Sequence, residues 1–184
     1  HKKNNMKLIG ITGKARSGKD TIAKHLWAEH EFTRIAFADP LKAAAKSIFG
    51  LTDAQTWGDT LKEVAIPYWG MSPRQMFQLL GTEAVKGTFG PDTWVKRWTI
   101  SYDLLKDTDH IVVPDVRTDL EAQAIRNLGG AIVKVVRNTS GLEGETAKHS
   151  SECGLTVAPD FTIANNGAFA DLYYHINTIV GGMK

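Results

Sequence analysis

Residues 13–19 (Gly13-Lys14-Ala15-Arg16-Ser17-Gly18-Lys19) follow an apolar run, Met6 to Thr12, and precede Ile22, Ala23, Leu26 and Trp27 at helical spacing. Strand, glycine-bounded loop and helix in that order constrain the chain more than any other feature. A buried strand that feeds a helix through G-x-x-x-x-G-K is an opening unit of a parallel α/β sheet. Glycines at both ends let the backbone N–H groups of such a loop turn inward onto an anion. The helix adds partial positive charge at its N-terminus, and Lys19 is placed to reach the β- and γ-phosphates of a nucleotide. The competing reading, a chance glycine loop with a surface lysine, does not explain the strand before it and the helix after it. The position after the lysine usually carries a Ser or Thr that ligates Mg²⁺, and here it is Asp20, followed by Thr21. Either Thr21 supplies the hydroxyl one position later, or Asp20 helps to hold the metal directly or through water.

Charge location supports a small anionic ligand. The formal charge of +2 divides into +6 over residues 1–24, with seven basic residues and Asp20, and −4 over the rest. Lys14, Arg16 and Lys19 crowd one loop, whereas a duplex would need an extended basic stripe, so no nucleic-acid polymer is expected as a partner. Lys2 and Lys3 precede Met6, and residues 1–5 read as a leader or tag. A length of 184 residues suits one domain over 1–184. The single cysteine, Cys153, allows neither an intrachain disulfide nor a cysteine zinc site, which suits a reducing cytoplasm. Apolar runs fall short of the ~18 residues of a membrane span, so no membrane association is expected.

Further strands are expected at Arg34 to Ala38, His110 to Val113, Ala131 to Val136 and Phe161 to Ala164. Helices are expected from Pro40 through LKAAAKSIF, from Ser72-Pro73 through Leu80, over Asp92 to Leu105, Thr118 to Leu128, and Ala168 to Val180. Residues 50–72 read as an irregular insertion with one short helix, and Trp27 and Trp98 as core. The alternation implies an α/β, three-layer fold with a five-stranded parallel sheet flanked by helices, and ligands beyond the carboxyl ends of the strands. Gly13, Pro114 and Arg137 all follow strands. Asp115 ends an apolar strand, where a carboxylate can orient Mg²⁺ or its water shell, and Arg117 follows it. Arg137 opens a polar loop over about 138–158, with Lys148, His149, Ser151 and Glu152, that is either a lid over reacting phosphates or a solvated surface loop.

Several segments together resemble the bacteriophage deoxynucleoside monophosphate kinases, a P-loop kinase family. They are GKARSGKDTIA at 13–23, FADPLK at 37–42, SPRQMFQLLGTE at 72–83, DTWVK at 92–96, VPDVRTDLEAQAIRNLG at 113–129 and NNGAFADL at 165–172. The Gly-Lys-Asp-Thr order is typical of that family. The resemblance implies a P-loop NTPase fold with acceptor-binding helices at about 37–98 and ATP as phosphoryl donor with Mg²⁺. Gly13, Arg16, Ser17, Gly18, Lys19, Asp20, Thr21, Arg137, Asn165 and Asn166 would meet ATP. The metal would be held among Asp20, Thr21 and Asp115. Phe37, Asp39, Lys42, Arg74, Gln75, Trp94 and Glu121 would belong to the acceptor side. Gln75 stands where relatives often have a second basic residue.

Lys19, Arg74, Asp115 and Arg117 would form the catalytic set. The implied reaction is direct in-line transfer to an acceptor phosphate oxygen, already ionised near neutral pH, so no general base is needed. Alternatives are a dephospho-coenzyme A kinase or phosphomevalonate kinase of the same fold, or a non-catalytic nucleotide-binding module. Aromatics between Trp57 and Trp69 leave room for a homodimer surface, and a phage-encoded chain would act in the host cytoplasm.

Overall fold

A computed structural model describes residues 5–138 and 154–184. Lys148, His149, Ser151, Glu152 and Cys153, with most of the expected lid, lie outside the described residues. The chain divides into two compact units, residues 1–36 with 98–184 and residues 37–97.

The first unit is built on strands β1 (Leu8–Thr12), β2 (Phe32–Arg34), β3 (His110–Val113), β4 (Ala131–Val136) and β5 (Phe161–Ala164) in the spatial order β2-β3-β1-β4-β5. Every neighbouring pair is parallel, with Gly10 opposite Val113 and Ile132. β1 lies at the centre and all five of its residues are buried, as its unbroken apolar run predicts. Strand alternation sends Ile9 and Ile11 to one face, in a core with Ile22, Ala23 and Leu26 of helix α1 (Lys19–His30) and with Leu172, Ile176 and Val180 of the C-terminal helix (Phe169–Gly182). The opposite face carries Gly10, where an added Cβ would lie 2.6 Å from Ile125. Ile125 belongs to the helix Asp119–Asn127, which therefore packs close to the sheet at a position only glycine permits.

The second unit is helical, with α2 (Asp39–Phe49), α3 (Asp53–Trp57), a 3₁₀ turn (Leu61–Glu63), α4 (Pro73–Gln78), a π-helical stretch (Leu79–Lys86) and α5 (Gly87–Phe89). It also includes the start of α6 (Thr93–Leu105), the helix in which the chain returns to the first unit. The helices Asp119–Asn127 and Phe169–Gly182 are α7 and α8. Ser72 and Gln75 form a reciprocal capping box with Pro73 at the first helical position, so α4 starts where its sequence predicts. Where α2 passes the π stretch, a Cβ on Gly81 would lie 2.6 Å from Leu41, so the small residue permits the close approach.

Three expectations change. The second strand is Phe32–Arg34 rather than Arg34 to Ala38, because its register with β3 begins at Phe32–His110. Residues 36–38 instead lead into α2. Trp27 is 67% exposed, not core. The buried stripe of α1 is Ile22, Ala23 and Leu26, and Trp27 stands about 90° from its centre at 100° per residue. The helix expected through Leu80 passes at Leu79 into π geometry. Trp98 is buried, and its indole N–H donates to the Ile35 carbonyl at 3.1 Å.

At the amino ends of the strands, burial pushes the His110 imidazole below its ordinary 6.5, and the Lys7 charge adds to this. Its Nδ1 accepts from the Lys7 N–H at 2.9 Å, which requires that nitrogen to be unprotonated. Since the folded-state value lies below the unfolded one, this stability is complete above about pH 6.5 and falls as pH drops through that value. Melts between about pH 7 and pH 5 are expected to show a shallower loss of stability for His110→Asn than for the parent chain.

Candidate active site

In a parallel sheet the loops that follow the strands emerge at one edge, and the first unit gathers four of them there. After β1, Gly13 (φ 149°) and Gly18 (φ 111°) adopt backbone that glycine accepts most readily, and Arg16 between them is left-handed at φ 62°. Lys19 folds back across the loop, its Nζ donating to the carbonyls of Gly13 (2.7 Å) and Lys14 (2.8 Å). The ammonium therefore sits at the mouth of its own loop. Gly18 is the N-cap of α1 and brings no side-chain cap, so this twelve-residue helix presents its N-terminal dipole to the loop. Ser17 is buried, and its Oγ has no hydrogen-bond partner among the described residues. An orphaned buried hydroxyl costs on the order of 1–3 kcal/mol, and an incoming oxyanion would offset that. Asp20 is exposed and Thr21 half-buried, both in the first turn of α1.

After β3, Val116 N–H donates to the Ile11 carbonyl at 3.1 Å, which holds half-buried Asp115 beside the start of the glycine loop. Arg117 is half-buried, two residues before α7. Glu121 is 6% exposed, and its Oε2 accepts from the backbone N–H groups of Arg117 (2.7 Å) and Thr118 (3.2 Å). With Thr118 Oγ1 accepting from Glu121 N–H, this is a capping box, and it positions the backbone that carries Arg117. Glu121→Ala is expected to lower stability by about 1–2 kcal/mol and to reduce turnover through Arg117; denaturant melts and steady-state rates check the two effects separately.

After β4, Arg137 is exposed, and after β5 Asn165 turns back onto the glycine loop, its Nδ2 donating to the Ser17 carbonyl at 2.9 Å. Asn165 N–H donates to the Val136 carbonyl (2.7 Å), and Asn138 N–H donates to Asn166 Oδ1 (2.9 Å). The Asn-Asn turn thus ties the ends of β4 and β5 to the glycine loop. Asp119 holds the other side of the same edge, accepting from the Thr156 hydroxyl and from the N–H groups of Thr156 (2.9 Å) and Val157 (3.2 Å). Those bonds, the hydroxyl foremost, hold its carboxyl below the usual carboxylate range.

In the second unit, Phe37 is buried and Asp39 starts α2. Lys42 Nζ lies 6.0 Å and 5.8 Å from the ring centres of Trp57 and Phe77, within cation–π range. Arg74 Nε donates to Glu63 Oε1 at 2.7 Å in a largely buried pair. Gln75 is committed to the cap of α4, with Oε1 accepting from Ser72 N–H at 2.8 Å. The Trp94 indole donates to the Gly81 carbonyl at 3.0 Å, which fixes the ring against the π stretch. Glu63 as partner of Arg74 was not readable from the sequence, because the irregular segment between them hides any spacing rule.

No cluster of three His, Cys, Asp or Glu converges on a metal position among the described residues. The hydroxyl and carboxylate oxygens near the glycine loop instead suit a hard cation that keeps waters and phosphate oxygens in its shell.

Residues 59–176 match the family model described as deoxynucleotide monophosphate kinase. A protein of Acanthamoeba polyphaga mimivirus, provisionally named as such a kinase, is 33% identical over 189 aligned positions, covering 95% of this chain and 96% of that one. The chain belongs to the deoxynucleotide monophosphate kinase family. Within that family, the deoxynucleotide monophosphate kinase of Enterobacteria phage T4 is 25% identical, with 95% of this chain and 99% of that one covered. That alignment runs to 241 positions against 184 residues here, so the phage T4 kinase carries insertions this family member lacks. Among solved structures, TT1252 from Thermus thermophilus superposes with a TM-score of 0.56 at 16% identity, covering 98% of this chain and all of that one. A sugar kinase from a Janibacter species gives 0.53 at 13% identity, with 96% and 95% covered. These likenesses describe the fold alone, a five-stranded parallel sheet flanked by helices. As a member of its family, the chain is a kinase.

Proposed function

We propose that this kinase transfers the γ-phosphoryl group of ATP to a deoxynucleoside 5′-monophosphate, giving ADP and the diphosphate. The observation that carries this reading is the Gly13–Lys19 loop, with Lys19 folded over its carbonyls and the Ser17 hydroxyl buried without a partner among the described residues, in a member of this family. ATP phosphates would lie against the loop and the N-terminus of α1, where backbone N–H groups and helix dipole favour anions. Lys19 would exchange a loop carbonyl for β- and γ-phosphate oxygens. An acceptor phosphate oxygen attacks the γ-phosphorus in line while the bond to the β–γ bridging oxygen breaks and ADP departs. No proton has to be removed first, so positioning and charge stabilisation by Lys19, Arg117 and Arg137 supply the catalysis. Thr21 and Asp115, with Asp20 directly or through water, would hold Mg²⁺, whose chemistry there is to neutralise charge on the phosphate oxygens. Asn165 and Asn166 would flank the adenine. The relatives are viral, and the proposed setting is the cytoplasm of an infected host cell.

The acceptor would be held by the unit of residues 37–97, with Arg74 on its phosphate and Phe37, Asp39, Lys42 and Trp94 around its nucleoside. Arg74→Ala is expected to raise the acceptor KM by about tenfold or more and to lower kcat, through loss of a charge-assisted clamp. An effect confined to the KM for ATP would assign Arg74 to the donor instead. ADP release measured across deoxy- and ribonucleoside monophosphates, dephospho-coenzyme A and phosphomevalonate tests the substrate class. Turnover is expected with deoxynucleoside monophosphates. Turnover only with another acceptor, or ATP binding without turnover, would contradict the proposal.

A further inference from the structure

On the surface formed by α1 and α8, away from the glycine loop, three side chains converge on one point. His25 Nε2 and His30 Nε2 each lie 2.7 Å from Asn177 Oδ1. The two imidazoles meet edge-on, centroids 5.7 Å apart and planes at 68°, so their nitrogens approach a common position from different directions. His25 is held by parallel stacking on Tyr173, at 4.2 Å and 7°. Tyr173 stacks in turn against Phe169, at 6.1 Å and 14°. The sequence hides this arrangement, since four residues separate the histidines and Asn177 lies in another helix.

We infer that His25, His30 and Asn177 form a site for a divalent transition metal such as Zn²⁺, separate from the Mg²⁺ chemistry of phosphoryl transfer. Imidazole selects zinc, nickel, cobalt and copper ions over magnesium, which takes oxygen ligands and water. A metal bound at about 2.0–2.1 Å places its ligand atoms about 2.9–3.4 Å apart at octahedral to tetrahedral angles. The 2.7 Å separations therefore need to open by only about 0.2–0.7 Å, which side-chain rotation supplies. Without the ion, Asn177 Oδ1 accepts from the Nε2–H of each imidazole; to ligate, each ring would carry its proton on Nδ1 instead and present the Nε2 lone pair, with the amide oxygen as third ligand and water completing the shell. Such an ion would cross-link α1, the helix that carries Lys19 at its start, to the C-terminal helix.

Calorimetric titration of the protein with Zn²⁺, near neutral pH and in millimolar Mg²⁺, tests this. One site per chain is expected, weakened at least about tenfold by His25→Ala or by His30→Ala and less by Asn177→Ala. Zn²⁺ is also expected to raise the melting temperature of the parent chain but not that of the His25→Ala/His30→Ala double variant. The Mg²⁺-supported kinase rate should be the same in both proteins, which shows that the variants fold. Absence of binding in the parent chain, or equal stoichiometry and affinity in the double variant, would overturn the site.

Discussion

Replacing Lys19 by Ala is expected to lower kcat by about two to three orders of magnitude while leaving the fold intact. The lysine is half-buried, and its ammonium donates to neighbouring loop carbonyls at 2.7 and 2.8 Å. Those two bonds shape the loop, but the sheet beneath it rests on the apolar core of β1, α1 and α8. Stability should therefore change by about 1 kcal/mol, the net worth of such bonds. The rate should fall far more, because on the proposed mechanism charge that spreads onto the transferring phosphoryl group loses the Lys19 ammonium. Stopped-time assays with saturating ATP and acceptor, alongside thermal melts, separate the two effects. A variant with near-parental turnover would remove Lys19 from the catalytic set.

Gly13→Ala is expected to damage both stability and nucleotide binding. Gly13 has φ 149°, and an added Cβ would lie 2.4 Å from the Val135 carbonyl oxygen and 2.8 Å from Ser17 Oγ. The first obstacle is backbone of a central sheet strand, which cannot yield without disturbing the β1–β4 pairing. Strain and overpacking together should cost about 2–4 kcal/mol. The buried Ser17 hydroxyl would be displaced at the same time, so ATP affinity should fall with stability. Gly129→Ala is the matched control. Gly129 also has positive φ (+82°) but nothing among the described residues within 4 Å of the added carbon, so only the backbone strain of about 1 kcal/mol is expected, with ATP affinity unchanged. Equal effects of the two substitutions would mean that crowding at Gly13 is unimportant.

The first unit was largely legible in the sequence because its signals are local. An unbroken apolar run became β1, the helix expected over Thr118 to Leu128 became α7, and Ala131 to Val136 became β4 with the limits its pattern suggested. The glycine loop was legible for the same reason, since glycine positions, strand and helix lie within one short stretch. Legibility failed where tertiary contacts decide. Trp27 shares the helical spacing of the core residues, yet it falls at the edge of the buried arc, and periodicity alone does not mark where the arc ends. The π stretch at Leu79–Lys86 has no propensity signature; it accompanies the close approach of Leu41 to Gly81 and the Trp94 bond to the Gly81 carbonyl. Likewise the pairing of Arg74 with Glu63, the Asn165 bond to the Ser17 carbonyl and the His25–His30–Asn177 cluster join residues whose separation in the chain follows no rule. The identities of these residues were visible, but their partners required the fold.

The most direct measurement follows the transferred group itself. Incubation with ATP labelled on its γ-phosphate and a deoxynucleoside monophosphate, with the products separated by nucleotide chromatography, should place the label in the deoxynucleoside diphosphate, one label for each ADP formed. Label recovered as inorganic phosphate, or retained in ATP although the nucleotide is bound, would contradict phosphoryl transfer to a deoxynucleotide by this loop.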